Sequence, residues 1–452
     1  MTVLTLILIV LCNAEFDLSL DDHSLFNQFQ AKYRKVYETP SQKLYRFSIF
    51  KERVKLIRQR NSERTRDSDA VFVINALTDL YPAEYGVVPS IPINIAKLKG
   101  YDDNYNRDFN QPPPLPEGDN LPEYHTYCGK YVVNNTRREP IDLCGKQFNQ
   151  GSCGSCYAAS TANLGQYLYA NISYYYNDKD INKTVKPLFT PQRWIDKAIP
   201  GGSNLQISKR CCGGNVMNIL DAEPSYSLES DYRYIDGSGS TSTSCSPRGD
   251  QNPNVKIQMR NDHYHIFAVT GTHQEKVHIL KKILHHYGPI STSIYTSVDP
   301  AFGNVGSGIY TFPSSCTDNT QTDHQVIIVG YGKEDGREFF IMRNSWYDGW
   351  GDGDNYLKIS TDVLCGIGQK IGDFYIPLNY IVFAGNCKLD KNCDSCDERT
   401  LKCSACKANT TLDARGMCVG EWEDPYDGVD DGSISILLNM NILLFILLFF
   451  MI

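Results

Sequence analysis

An α+β fold is expected of this chain, and three segments carry the expectation. In the first, Asn149-Gln150-Gly151-Ser152-Cys153-Gly154-Ser155-Cys156-Tyr157-Ala158-Ala159-Ser160, Cys156 opens a helix. Tyr157, Ala158, Ala159, Thr161, Ala162 and Leu164 follow it without a breaker. The second, His324-Gln325-Val326-Ile327-Ile328-Val329-Gly330-Tyr331-Gly332, reads as a short buried strand closed by glycines. The third, Phe339-Phe340-Ile341-Met342-Arg343-Asn344-Ser345-Trp346, is strand-like again, with Gly349-Trp350-Gly351 close behind.

The first segment also carries chemistry. A thiol at a helix N-terminus feels the positive end of the macrodipole, which favours thiolate. Gln150 stands six residues earlier, so its amide and the N–H of Cys156 can point at one oxygen, the layout of a nucleophile with an oxyanion hole. A cysteine nucleophile needs an imidazole, and the imidazole needs an orienting group; His324 and Asn344 are of those types. Taken singly, each has a plain reading: a disulfide cysteine, a strand-end histidine, a turn asparagine. Their conjunction, in this order and in these local sequences, favours catalysis.

These segments resemble the papain-like (cathepsin-type) cysteine peptidases. The resemblance implies a two-lobed fold: a helical lobe headed by the Cys156 helix, an antiparallel, barrel-like β lobe carrying His324 and Asn344, and an extended peptide bound between them. It implies that Cys156 attacks the peptide carbonyl as thiolate and that His324 protonates the leaving amine. Asn344 would fix the imidazole plane, Trp346 would shield that bond from water, and Gln150 would donate to the oxyanion. In such pairs the thiol pKa falls to roughly 3–4. Tyr157 stands where tryptophan is usual, as in the dipeptidyl-peptidase branch, and the Cys156–His324 separation exceeds the family's usual one. The polar Tyr174–Lys186 region and the Gly237–Ser246 run are the loops that absorb the difference.

The N-terminal third fits a zymogen. Residues 1–14 read as a secretory signal peptide with the apolar run Val3 to Leu11. Residues 15–110 resemble the family's inhibitory propeptide. Arg46, Ile49, Phe50, Ile57 and Asn61 recur at helical steps, with Gln42 where glutamate is usual and Arg53 where asparagine is usual. Asn75-Ala76-Leu77-Thr78-Asp79 is similar to its second motif. Residues 111–120, opening on Gln111-Pro112-Pro113-Pro114, form a stiff polyproline-type linker. The peptidase domain is placed at 121–378.

The chain has 16 cysteines, which fits an oxidising compartment. By the resemblance Cys153 pairs with Cys211 and Cys316 with Cys365. Cys212 with Cys245 follows more loosely, and Cys128 with Cys144 lies in an insertion without a family equivalent. The resemblance also puts substrate against Gly213, Gly214, Val216, Ser293, Thr322, Asp323 and Lys370. Lys370 falls at the floor of the pocket for the second residue upstream of the scissile bond. A buried ammonium there favours an acidic or polar residue; a snorkelling one leaves the pocket apolar. His285-His286 reads as a helix end rather than a carboxylate clamp.

Residues 387–418 hold six cysteines with two C-x-x-C pairs. A zinc ribbon is one reading; a disulfide scaffold suits a secreted chain better. An acidic linker occupies 419–433, and 434–452 is almost wholly apolar, nineteen residues that reach roughly 28 Å as helix. It is either a membrane anchor or a clipped lipid-anchor signal. The sequons at Asn134, Asn171, Asn182 and Asn409 are glycan acceptors.

The formal net charge of −8, with no basic stripe, argues against nucleic acid as a partner. The expectation is a cysteine endopeptidase made as a zymogen in the secretory pathway, lysosomal, vacuolar or at the cell surface, and attached to membrane. Its partners would be protein or peptide substrates and its own propeptide; no cofactor and no metal are expected. The layout is similar to cathepsin-like enzymes of protists. Two other readings are an aminodipeptidase, which needs a domain blocking one end of the cleft, and a silent surface-binding protein, which has no need of both Cys156 and His324.

Overall fold

The computed structural model describes residues 16–88, 120–128, 142–176, 180–197, 210–216, 219–220, 223, 225–237, 244–246, 248–249, 251–260, 264–266, 269, 271–316, 322–347, 349–368, 382–384, 393–397, 402–408, 410–412 and 418–419. The expected signal peptide, most of the Pro-rich linker, Asn134, Lys370, Cys387, Asn409 and everything after 419 lie outside these residues. Among the described residues no helix is long and apolar enough to cross a membrane.

The N-terminal segment is a helical hairpin. Helix α1 (Asp22–Tyr33) starts where the Asp21 side chain accepts from the amides of His23 and Ser24, and it buries Leu25, Phe26 and Phe29. Helix α2 (Pro40–Ser62) starts with Thr39 as cap and Pro40 in its first turn. Its Ile49, Phe50, Val54 and Ile57 are buried, and the Phe50 ring lies 4.9 Å from Phe29 and 5.1 Å from Phe26. Asn61, near the end of α2, ties the helix to the segment that follows: its amide gives to and takes from the backbone of Phe72, both at 2.8 Å.

Strand β1 (His125–Thr126) precedes helix α3 (Cys156–Tyr176). Ala158, Ala159, Leu164, Leu168 and Ala170 of α3 are all buried, because the helix runs through the centre of the molecule. At Gly165 any Cβ would lie 2.1 Å from the Tyr226 ring, so only glycine admits that contact. Helix α4 (Gln192–Lys197) and the ribbon of β2 (Ser225–Tyr226) with β3 (Met259–Arg260) complete this helical side.

The other side is a sheet built from β4 (Tyr264–Ile266), β5 (Ile290–Ile294), β6 (Ile309–Tyr310), β7 (His324–Glu334), β8 (Arg337–Arg343), β9 (Tyr356–Ser360) and β10 (Val382–Ala384). Their order is β4-β10-β5-β7-β8-β9-β6, with β1 added to β7, and every pair but β6–β9 is antiparallel. Helix α5 (His273–His286) precedes β5. It is capped by Thr272 and Glu275, and His285 and His286 form its last turn.

Disulfides join Cys128–Cys144, Cys153–Cys211, Cys212–Cys245 and Cys316–Cys365. Each restricts the unfolded chain by about 3–4 kcal/mol in the loop-entropy picture. In the C-terminal module β11 (Cys393–Asp397) pairs with β12 (Lys402–Cys406), and β13 (Thr411–Leu412) with β14 (Cys418–Val419). Disulfides Cys393–Cys403 and Cys406–Cys418 tie these hairpins. Their sulfurs cluster closely, but a sulfur in a disulfide is no thiolate ligand.

Candidate active site

The register of the sheet brings two of the three candidate residues together. His324 opens β7 opposite Ile294 of β5, and Asn344 follows directly on the last residue of β8. The His324 Nε2 lies 2.7 Å from Asn344 Oδ1. That oxygen also accepts the Ser345 amide at 2.8 Å, which identifies it as the carbonyl end of the side chain. The imidazole therefore carries its proton on Nε2, leaving Nδ1 with a free lone pair; Nδ1 is buried without a hydrogen-bond partner.

The Trp346 ring stacks on His324 at 4.9 Å and 28°. It is backed edge-on by Trp350 at 4.9 Å and by Phe302 at 5.8 Å. Asn355 accepts the Trp346 amide at 3.1 Å and donates to the Tyr347 carbonyl at 2.9 Å, fixing the turn that aims the ring.

Cys156 is the free cysteine among the described residues and lies buried at the first position of α3. Gln150, fully buried, is held at both ends. Its Oε1 accepts from Ser345 Oγ at 2.6 Å, and its amide N–H joins the Ser345 carbonyl at 2.8 Å. Its Nε2 donates to the Cys153 carbonyl at 3.0 Å and to the Gly86 carbonyl at 3.2 Å.

That last bond belongs to the N-terminal segment, which covers the site. Tyr85 packs edge-on against Trp346 at 5.1 Å. Gly86, at φ +79°, has room for no side chain, since a Cβ would meet the Cys153 carbonyl at 2.4 Å. A Cβ on Gly154 would meet the Val88 side chain at 2.7 Å. Under this cover burial pushes the Cys156 thiol up to about 11 and lowers the His324 imidazole below its ordinary value. Burial here favours the neutral thiol and the neutral imidazole, against the pull of the helix N-terminus toward thiolate.

Upstream, the same segment is moored to the sheet side by backbone and charge. Val71 N–H donates to the Ser307 carbonyl at 2.8 Å, and Gly306 N–H to the Val71 carbonyl at 2.7 Å. Asn75 donates to the Gly303 carbonyl at 2.8 Å and Asn304 to Thr78 Oγ1 at 2.8 Å. Arg60 pairs with the buried Asp299 at 3.0 Å, Asp69 with Arg337 at 2.5 Å, and Arg53 donates to the Pro300 carbonyl.

The candidate substrate-contact residues divide between the two sides. Ser293, Thr322 and Gly366 adjoin one another: a Cβ on Gly366 would meet the Ser293 carbonyl and the Thr322 methyl, each at 2.7 Å. Val216 is buried in the helical side, three residues beyond Gly213. Asp323 spends both oxygens on the Thr296–Ser297 turn, at 2.7 Å and 2.9 Å from the two amides. Asn182 is exposed and Asn171 half-buried.

Sequence reasoning assigned no role to Ser345, Gly86 or Tyr234. Ser345 directly follows Asn344 in the strand-like run, so its neighbourhood was a signal. Gly86 and Tyr234 carry none, because their contacts to the Gln150 loop span 64 and 84 residues.

Residues 135–372 match the family model described as papain family cysteine protease, and residues 26–85 match that of the cathepsin propeptide inhibitor domain (I29). The chain is similar to ananain of Ananas comosus, 24% identical over 360 residues covering 76% of this chain and 85% of ananain. It is 28% identical to the viral cathepsin of Epiphyas postvittana nucleopolyhedrovirus over 381 residues, 80% of this chain and 94% of that one. Among solved structures, the digestive procathepsin L2 proteinase from the Tenebrio molitor larval midgut superposes with a TM-score of 0.58 at 20% identity, covering 80% of this chain and 99% of that one.

Proposed function

The chain belongs to the papain family of cysteine proteases and is made as a zymogen, and from that premise we propose an endopeptidase whose Cys156, His324, Asn344 and Gln150 carry the reaction. Its substrates are proteins or peptides, and its own propeptide is an inhibitor.

The observation that carries the assignment is the His324–Asn344 bond of 2.7 Å beneath Trp346. It commits Nε2 and leaves Nδ1 as the nitrogen able to take the Cys156 proton. The thiolate then attacks the scissile carbonyl; His324 returns the proton to the departing amine, and water releases the acyl group. Gln150 Nε2 and the Cys156 N–H stabilise the oxyanion. In the zymogen the Gly86 carbonyl occupies that Nε2 donor, so the propeptide uses a main-chain oxygen to block the place where a substrate oxygen develops charge. Once the segment leaves, water and the α3 N-terminus favour the ion pair.

The signal-type N-terminus and the disulfides support the secretory pathway with a lysosomal, vacuolar or surface destination, and the apolar 434–452 run supports membrane attachment. Exposure supports Asn182 as a glycan site. Gly213, Gly214, Val216, Ser293, Thr322, Asp323 and Lys370 line the substrate cleft on the strength of the family resemblance.

The test is a biotinylated epoxysuccinyl thiol trap on the processed protein, with Cys156→Ser and His324→Ala beside it. Labelling at Cys156 that vanishes in both variants is expected. A processed, folded protein left unlabelled at Cys156 would remove the chemical basis of the proposal.

A further inference from the structure

A strip of the helical side, Tyr234–Gly237, grips the loop that carries Gln150 and Ser155. The Tyr234 hydroxyl donates to the Gln150 carbonyl at 2.7 Å and lies 3.0 Å from Ser155 Oγ, so one phenol touches the residues on both sides of the loop. The Gly237 carbonyl accepts from the Ser152 amide at 2.9 Å and from its hydroxyl at 3.2 Å. The fit leaves no slack. A Cβ on Gly151, at φ +60°, would lie 1.9 Å from the Gly237 oxygen. Phe148 packs edge-on to the Tyr234 ring at 4.7 Å.

The strip is itself anchored. Asp236 is fully buried, and its carboxylate takes Arg210 at 2.7 Å and 3.1 Å, Arg248 at 2.6 Å and Gln192 at 2.8 Å. The Gln192 oxygen accepts the amides of Ile235 and Asp236 at 2.8 Å and 3.1 Å. Arg210 precedes Cys211, the partner of Cys153, and its carbonyl accepts from the Tyr157 hydroxyl at 3.0 Å. A charged cluster of this kind around a buried carboxylate restricts its backbone, since opening it strands an uncompensated charge.

We propose that Tyr234 is a positioning residue of the oxyanion hole, holding the Gln150 main chain in register with Cys156, and that Asp236 with Arg210 fixes Tyr234 in place. The proposal rests on the reading of Cys156 and Gln150 given above. The competing role is packing alone, and two thiol reagents separate them. A peptide aldehyde adds to Cys156 as a hemithioacetal: the S–C bond forms, the carbonyl π bond breaks and the thiol proton ends on the oxygen, which sits among the oxyanion donors. Iodoacetamide forms its S–C bond with loss of iodide and needs no oxyanion donor.

Mature wild type, Tyr234→Phe and Asp236→Asn are compared. For both variants kcat and aldehyde affinity should fall together by about 10-fold, with KM and the iodoacetamide rate within about 2-fold of wild type. Unchanged kcat and aldehyde affinity would overturn the proposal. So would equal slowing toward both reagents, or failure of both variants to yield mature enzyme, since either marks the strip as a packing element. Wild-type enzyme that iodoacetamide does not label at Cys156 would instead sink the nucleophile reading, and this proposal with it.

Discussion

The propeptide holds the enzyme in two different ways at two places along its length. Between residues 60 and 78 the grip is made of backbone bonds and charge: Arg60 on Asp299, Asp69 on Arg337, Asn75 on Gly303. Between residues 85 and 88 it is one carbonyl on Gln150, one ring on Trp346 and apolar contact with Gly154. The first region, built on ion pairs, should respond to acid and salt; the second adds burial, which favours the neutral catalytic pair. Binding and silencing are thus separable, and changes in each region should have distinct signatures.

The largest effects belong to the site. Cys156→Ser should lower kcat/KM by roughly 10⁴-fold or more without changing how the propeptide docks, read by peptide hydrolysis beside propeptide binding in trans. Gln150→Ala removes one oxyanion donor and should cost about 10²–10³ in kcat. It also removes the acceptor's partner for Gly86, so propeptide affinity should weaken as well. A kcat equal to wild type would break the assignment of Gln150.

The docking region should give smaller numbers. Arg60→Ala leaves the buried Asp299 with only the Tyr310 hydroxyl and the Ala301 amide, and inhibition by the separate propeptide should weaken roughly 10-fold. Unchanged inhibition would show that the Arg60–Asp299 pair contributes nothing. Asp69→Asn should cost only a few-fold, about 0.5–1 kcal/mol, and the loss should shrink at high salt.

Acid acts on the same region. Asp69 feels burial, which would raise it, but the Thr65 and Arg66 amides and Arg337 hold it below its ordinary 3.8. Outside that region, and paired within the propeptide itself, Glu84 is likewise kept below 4.5 against burial by Arg46 and the Tyr81 amide. A depressed carboxylate stabilises the folded arrangement above its unfolded pKa and loses that contribution as pH falls through the folded value. Propeptide affinity should therefore be level near neutrality and decline below about pH 4. A decline that begins near pH 6 would point to histidines instead.

Much of this layout was legible in the sequence because the signals were local. A helix starting at Cys156, strands at His324 and Phe339, and an amphipathic helix over Arg46–Asn61 each rest on periodicity within a few turns. The α+β class follows from them. Illegible features were those made by long-range juxtaposition. Nothing near Tyr234 announces a bond to Gln150, and Arg210 and Arg248 find Asp236 through tertiary folding alone. The electrostatic balance at Cys156 is long-range for the same reason. The helix end at Cys156 argues for thiolate, while the opposing influence, Gly86 to Val88, comes from a segment some seventy residues earlier.

A propeptide that keeps the Cys156–His324 pair neutral, and whose removal releases the ion pair, makes the two forms of the enzyme react differently with a thiol reagent. The pH dependence of iodoacetamide alkylation at Cys156, in zymogen and in processed enzyme between pH 5 and 8, tests it directly. The processed enzyme should react rapidly and almost independently of pH. The zymogen should react slowly, with a rate rising about 10-fold per pH unit, as expected for a thiol near 11. Identical profiles in the two forms, or a zymogen rate that is flat across this range, would contradict the account.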